Sequence, residues 1–173
     1  MSNFTERMIR AAKLDASLYE EVEADKTAMG QAMVVVVLSS LAAGIGSSSM
    51  GGSNFILVTI AALAGWYLWA YLTYFIGTKL LAETHTKADH GELLRTIGFS
   101  SSPGLIRILG IIPGFTNLVF SVTGIWMLMA MVIAIRQALD YTSTLRALGV
   151  CFIGWIIQSI FIGILLLFAQ GGA

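Results

Sequence analysis

The chain has 173 residues, of which 57% are hydrophobic and 12% charged, with a mean hydropathy of +0.82. Soluble domains carry roughly 25% charged residues; half that share cannot cover a water-facing surface of this size, so the apolar side chains must meet a bilayer or a proteolipid-like assembly. Ten Lys and Arg balance ten Asp and Glu, leaving no basic excess for nucleic acid, and one cysteine, Cys151, supports neither an internal disulfide nor a cysteine-built metal site.

Residues 1–28 hold four basic and six acidic residues. At 100° per residue Phe4, Met8, Ala11, Ala12, Leu14, Leu18, Tyr19 and Val22 share one broad face, opposite Glu6, Arg10, Lys13, Glu20 and Glu21. This pattern predicts an amphipathic helix at the cytoplasmic interface, with Phe4, Met8, Leu14, Leu18 and Tyr19 as its apolar contacts. The same face would serve equally to pack on the protein's own spans or on a second copy. Asp15 interrupts it.

Met29 to Ile45 carries no charge and is long enough, barely, to cross ~30 Å of hydrocarbon at about 1.5 Å per residue. The acidic stretch before it is too long for a signal-peptide n-region, so no cleavage is expected; the start MSNF and the internal cysteine carry no lipidation signal. The Gly/Ser-rich run GIGSSSMGGSN then turns the chain. Phe55 to Leu80 forms a second span, with Trp66, Tyr67, Trp69, Tyr71 and Tyr74 in its middle and cytoplasmic half as helix-packing residues. A polar loop, Ala82 to Gly91, leads to a third apolar segment, Glu92 to Ile112. It holds Arg95, Arg107 and the sequence SSSPG. Phe115 to Ile135 and Leu148 to Phe168 complete five segments. Small residues four apart, such as Ala61/Gly65, Thr73/Gly77, Gly110/Gly114 and Ser159/Gly163, predict close helix approach and a homodimer.

Nine of the ten basic residues fall before span one, between spans two and three, or between spans four and five. Lys and Arg are retained on the cytoplasmic side, so the N-terminus is expected inside and the C-terminus outside. The competing arrangement makes segment three re-entrant and leaves four spans.

Spans one, two, four and five have no ionisable group in their interiors, which argues against an intramembrane protease, a carboxylate relay or a zinc hydrolase. No catalytic residue, cofactor or metal site is expected. Asn117 and Gln158 are the amides within spans and suit interhelical hydrogen bonds. Glu83, His85, Asp89, His90 and Glu92 crowd one loop, but their spacing matches no ligand motif, and a solvated loop is the simpler reading. Arg107 is the exception among the spans. In a continuous helix it would snorkel to the far headgroups. Alternatively Pro103 and Gly104 break the helix, free backbone carbonyls near Ser100 to Ser102, and let Arg107, with Ser101, Ser102 and Arg95, contact a headgroup or anion.

The ordered set SLYEEVEADKTAMGQA before span one, GELLRTIGFSSSPGLIRILGIIPG in segment three and GIWMLMAMVIAIRQAL in span four resembles the Yip family. Those are five-span membrane proteins whose eukaryotic members interact with Rab-type GTPases in vesicle traffic. The matching positions are Tyr19, Glu20, Gly98, Phe99, Pro103, Gly104 and Arg136. The resemblance implies a cytoplasmic N-terminal segment over 1–28 and a Yip-like transmembrane domain over 29–173. It also implies an all-α bundle of five transmembrane segments, the third broken at Pro103, and a non-enzymatic membrane-organising or trafficking scaffold. Its partners would be the lipid bilayer and a protein or second copy at the cytoplasmic face, without nucleic acid. Tyr19-Glu20-Glu21 replaces the eukaryotic aspartate-leucine-tyrosine-glycine-proline approach, and the short ends suggest a prokaryotic cytoplasmic membrane. Transport of a lipid or small solute past Pro103 and Arg107 is the other functional expectation.

Overall fold

The computed structural model describes residues 3–47 and 55–171; the side chains of 55–58, 61 and 161–171 lie outside the description. Within it the chain is helical, with no strand. The helices are α1 (Phe4–Ala12), α2 (Ala16–Ala24), α3 (Met29–Gly46), α4 (Phe55–Phe75), α5 (His90–Ser100), α6 (Thr116–Ala138) and α7 (Thr144–Gly171). A 3₁₀ segment, Ser102–Ile111, continues α5, and a π turn, Ile76–Leu80, ends α4. Lys26–Gly46 and Thr116–Ala138 are long and apolar enough to cross a membrane. Most of the Gly/Ser turn after α3, and the partners Ala61 and Gly163 of two small-residue pairs, fall outside the described residues or side chains.

Where one amphipathic helix was expected at the N-terminus, there are two. Leu14 adopts a left-handed backbone with φ 63°, and the Asp15 side chain accepts from Ser17 N at 3.0 Å to start α2. A short acid that caps a new helix competes with continuing the old one. The apolar face does not lie open to an interface. Ala11, Leu18, Tyr19 and Val22 are fully buried, with Phe4 and Met8 packed on the same core. This second option, packing on the protein's own spans, is the one realised. Trp126, half way along α6, donates its indole N–H to the carbonyl of Ala12 at 2.7 Å, so the end of α1 rests on the flank of the bundle.

The third segment runs beside α3 in the same direction. Gly98 faces Ala32, Gly104 faces Ser39, and Arg107 and Gly110 face Gly46. Along α3 these contacts recur every seven residues, two α-helical turns; along the segment the glycines recur every six. In a 3₁₀ helix residues three apart eclipse, so Gly104, Arg107 and Gly110 share one face and keep the backbone against α3. Pro103 sits in the first turn, where its missing N–H costs little. The carbonyls expected to be freed there are satisfied: Gly98 accepts from Ser101 N, Ser101 from Gly104 N, and Phe99 from the Ser102 hydroxyl.

At the other side of α4, Tyr141 is buried and its hydroxyl donates to the carbonyls of Gly77 and Leu81 at 2.8 and 3.0 Å. That bond ties the α6–α7 loop to the end of α4. Glu83 in turn accepts from Thr142 and pairs with Arg146. Asp89 and Glu92 form a capping box that starts α5, and the His90 ring sits edge-on to Tyr67, Tyr71 and Tyr74. The crowded acidic and histidine loop is thus occupied with ending and starting helices. Large apolar side chains on α3, α4, the 3₁₀ segment, α6 and α7 face outward, among them Leu38, Tyr67, Ile111, Ile125 and Phe152. Such a girdle suits lipid.

A Cβ at Gly46 would collide with the backbone carbonyl of Arg107, whereas one at Gly30 meets nothing within 4 Å. Gly46→Ala should therefore lower stability by roughly 1–3 kcal/mol and Gly30→Ala should leave it unchanged or slightly higher. Thermal unfolding of the purified protein in detergent compares the two.

Candidate functional site

Two features stand out once the chain is assembled. The first is a clamp that fixes the N-terminal helical pair. Arg7, 5% exposed, donates to Glu21 at 3.0 Å, to Gln31 at 3.0 Å and to Asp25 at 2.8 Å. Arg10 bridges Asp15 and Glu21. Arg95, 4% exposed on α5, donates from Nε to the Val22 carbonyl at 2.9 Å and from a terminal nitrogen to that of Glu23. Those carbonyls belong to the last turn of α2, where helical partners run out and a cation meets the negative end of the dipole. Arg95 therefore serves α2 and does not join Arg107. Tyr19, among the positions marked in the sequence, is fully buried and donates to the Ala11 carbonyl.

Glu23 lies inside this clamp. Burial, with Glu92 and Asp140 nearby, raises its pKa to about 7 against the weaker pull of Arg95.

The second feature is an open cavity of about 680 Å³ between the helices, walled by α3, α4, the third segment, α6 and α7, with Leu128, Phe152 and Trp155 at its exposed side. Gly65 and Gly124 border it, and a Cβ at either would meet nothing within 4 Å. Trp66, Trp69, Trp155 and Met127 supply apolar wall. Trp66 is fixed by donating to the Leu94 carbonyl at 3.0 Å, and Trp69 by its contact with Met131 sulfur at 3.1 Å. Among the described residues its polar character comes from Ser39, Ser40, Ser101, Gln158 and Arg107.

Arg107 is half-buried. Its Nε is buried without a hydrogen-bond partner among the described residues, and its guanidinium carbon stands 5.4 Å from the centre of the Phe120 ring. A cation over an aromatic face is a partial substitute for an anion. Its position is fixed by Gly46, the last residue of α3, and by Phe120, one turn into α6. It therefore marks the distal end of the bundle, opposite the clamp.

Of the residues singled out in the sequence, the cavity gathers Arg107 and Ser101. Ser102 is buried and spends its hydroxyl on the Phe99 carbonyl, and Pro103 and Gly104 are buried against α3 and α6. Asn117 is exposed at the start of α6 instead of bridging helices, while Gln158 borders the cavity. The tryptophans and the methionines Met127 and Met131 were not legible as one wall, because they lie on three helices far apart in sequence. Among the described residues no three His, Cys, Asp or Glu side chains gather as metal ligands.

The Yip1 domain family matches residues 17–167 of this chain. No curated protein and no solved structure matches it.

Glu23 gives a signed pH dependence. A carboxyl whose folded pKa is raised binds more protons in the folded state, so the docked pair loses stability as pH climbs from the usual carboxylate range to about 7 and levels off above. Glu23→Gln should flatten that profile and slow hydrogen exchange in residues 16–24 at pH 8. Arg95→Met should accelerate exchange in the same residues, because it strands the carbonyls of α2.

Proposed function

The chain belongs to the Yip1 domain family, and from that premise we propose a non-enzymatic, membrane-organising scaffold with five crossing segments, its N-terminus cytoplasmic and its C-terminus outside. Several observations support crossing by the third segment. About 11 residues of α-helix and 10 of 3₁₀ helix supply roughly 36 Å of rise, more than the ~30 Å of hydrocarbon. It also follows α3 from Ala32 to Gly46. The uneven distribution of Lys and Arg supports the orientation.

The observation that carries the scaffold reading is the clamped N-terminal pair. Arg7 and Arg95 fix α1 and α2 to the bundle as a rigid platform, and Glu6, Lys13, Ser17 and Glu20 remain exposed on it. A rigid polar face beside an apolar girdle can hold a second copy or a protein partner without rearranging. Removing residues 1–24 would take away the buried Leu18, Tyr19 and Val22 and bare the core they pack on, so truncation tests folding as much as recruitment. Charge reversal at the exposed positions is cleaner. Glu6→Lys combined with Lys13→Glu should leave the thermal midpoint unchanged and weaken self-association or partner cross-linking in reconstituted vesicles; association equal to the parent's would overturn the platform.

The cavity beside Arg107 supports a second reading, translocation of a lipid or small solute. Reconstituted vesicles should then show headgroup or solute flux that Arg107→Ala abolishes, and absence of flux for every lipid and ion tried defeats it.

A further inference from the structure

We propose that the open cavity between the helices is a lipid site, with a phosphate headgroup on Arg107 and one acyl chain laid along the tryptophan wall. It rests on the cavity invoked for translocation but requires no movement of lipid across the membrane.

The cavity's shape selects the tail. Its wall follows α7 from Leu148 to Gln158, ten residues or about 15 Å of helical rise. That is half of the ~30 Å hydrocarbon layer, the depth of one leaflet. A volume near 680 Å³ lies within the range of roughly 300–1,000 Å³ usual for small-ligand pockets; it suits one chain better than a whole diacyl lipid. Trp66, Trp69, Trp155, Met127 and Met131 offer no charge along this length, and the methionine side chains adapt to a flexible chain.

The head is selected by Arg107. The guanidinium carries five donors in a planar fork matched to phosphate oxygens, and its Nε is buried without an acceptor among the described residues. Among the described residues no carboxylate lines the cavity. Ser101 and Gln158 add neutral hydrogen-bonding groups to the same wall. A single phosphodiester therefore balances the site's single charge, whereas a zwitterionic head leaves its ammonium without a partner. Arg107 stands at the distal end of the cavity, so the phosphate lies near one membrane surface while the tail reaches toward the middle.

The chain has four tryptophans, and three of them line this cavity; Trp126 does not. Trp126→Phe leaves the cavity wall as the sole source of indole fluorescence. In phosphatidylcholine vesicles, a small fraction of phosphatidylglycerol with brominated chains should quench that fluorescence more than the same fraction of brominated phosphatidylcholine. Adding Arg107→Gln should weaken the phosphatidylglycerol-specific excess about tenfold, and Arg107→Lys should retain part of it. Equal quenching by the two lipids, or an excess unchanged in Arg107→Gln, overturns the site. Free glycerol phosphate should not relieve the quenching; full relief would assign the site to a soluble phosphate and overturn the acyl chain. Native mass spectrometry of the unaltered chain covers the event that a variant misfolds. Retention of phosphatidylglycerol over phosphatidylcholine upholds the site, and equal loss of both overturns it. Binding without flux upholds the lipid site and removes only translocation.

Discussion

At three successive points α3 and the third segment meet through a glycine. Gly98 lies on Ala32, Gly104 on Ser39, and Gly46 on the Arg107 backbone. This seating orders much of what surrounds it. It draws the 3₁₀ segment into contact with both α3 and α6, and it fixes where Arg107 leaves the backbone. It also leaves the space beside the pair to be walled by α4, α6 and α7. A helix pair packed through glycine gains dispersion contacts at close range where the surrounding lipid offers no hydrophobic drive.

Polar groups are distributed by the same economy. With ten cations and ten anions in 173 residues, most have a structural partner at the end carrying the N-terminal pair. Arg7 and Arg10 hold the acids of α2, Arg95 holds its last carbonyls, and Arg146 meets Glu83. A buried guanidinium is tolerated when its donors are met. Arg107 has the Phe120 ring and no acceptor among the described residues, and the contrast with Arg95, twelve residues earlier, separates a positioning arginine from one with capacity to spare.

Much of the architecture was legible in the sequence because it is written in periodicity and charge. The uncharged stretches become long helices, the buried face of residues 4–22 is the one the 100° wheel selects, and Arg107 and Ser101 do reach a common cavity. What could not be read depends on long-range geometry. Whether Asp15 merely interrupts a helix or caps a new one depends on Leu14 accepting a left-handed backbone, which tertiary packing decides. Arg95 and Arg107 look like a pair in a linear segment, but the carbonyls that claim Arg95 come from more than seventy residues away. Asn117 carries the residue type for an interhelical bond but is exposed at the start of α6. The cavity is invisible for the same reason, since its tryptophans and glycines belong to helices whose mutual rotation no local pattern reports.

The 3₁₀ winding of Ser102–Ile111 stores an option that an α-helix would not have. Ten residues rise about 20 Å in the tighter coil and about 15 Å in the wider one. Rewinding would therefore retract the tip near Ile112 by roughly 5 Å. It would also swing Arg107 through about 60° relative to Gly104, since each residue turns 120° in one form and 100° in the other. The glycine stripe that fits α3 at a six-residue interval would fall out of step, and the arginine would exchange the cavity for another neighbour. The segment thus behaves as a screw whose pitch is set by the groove it lies in, so loosening its grip on α3 and reorienting its one charge are a single motion.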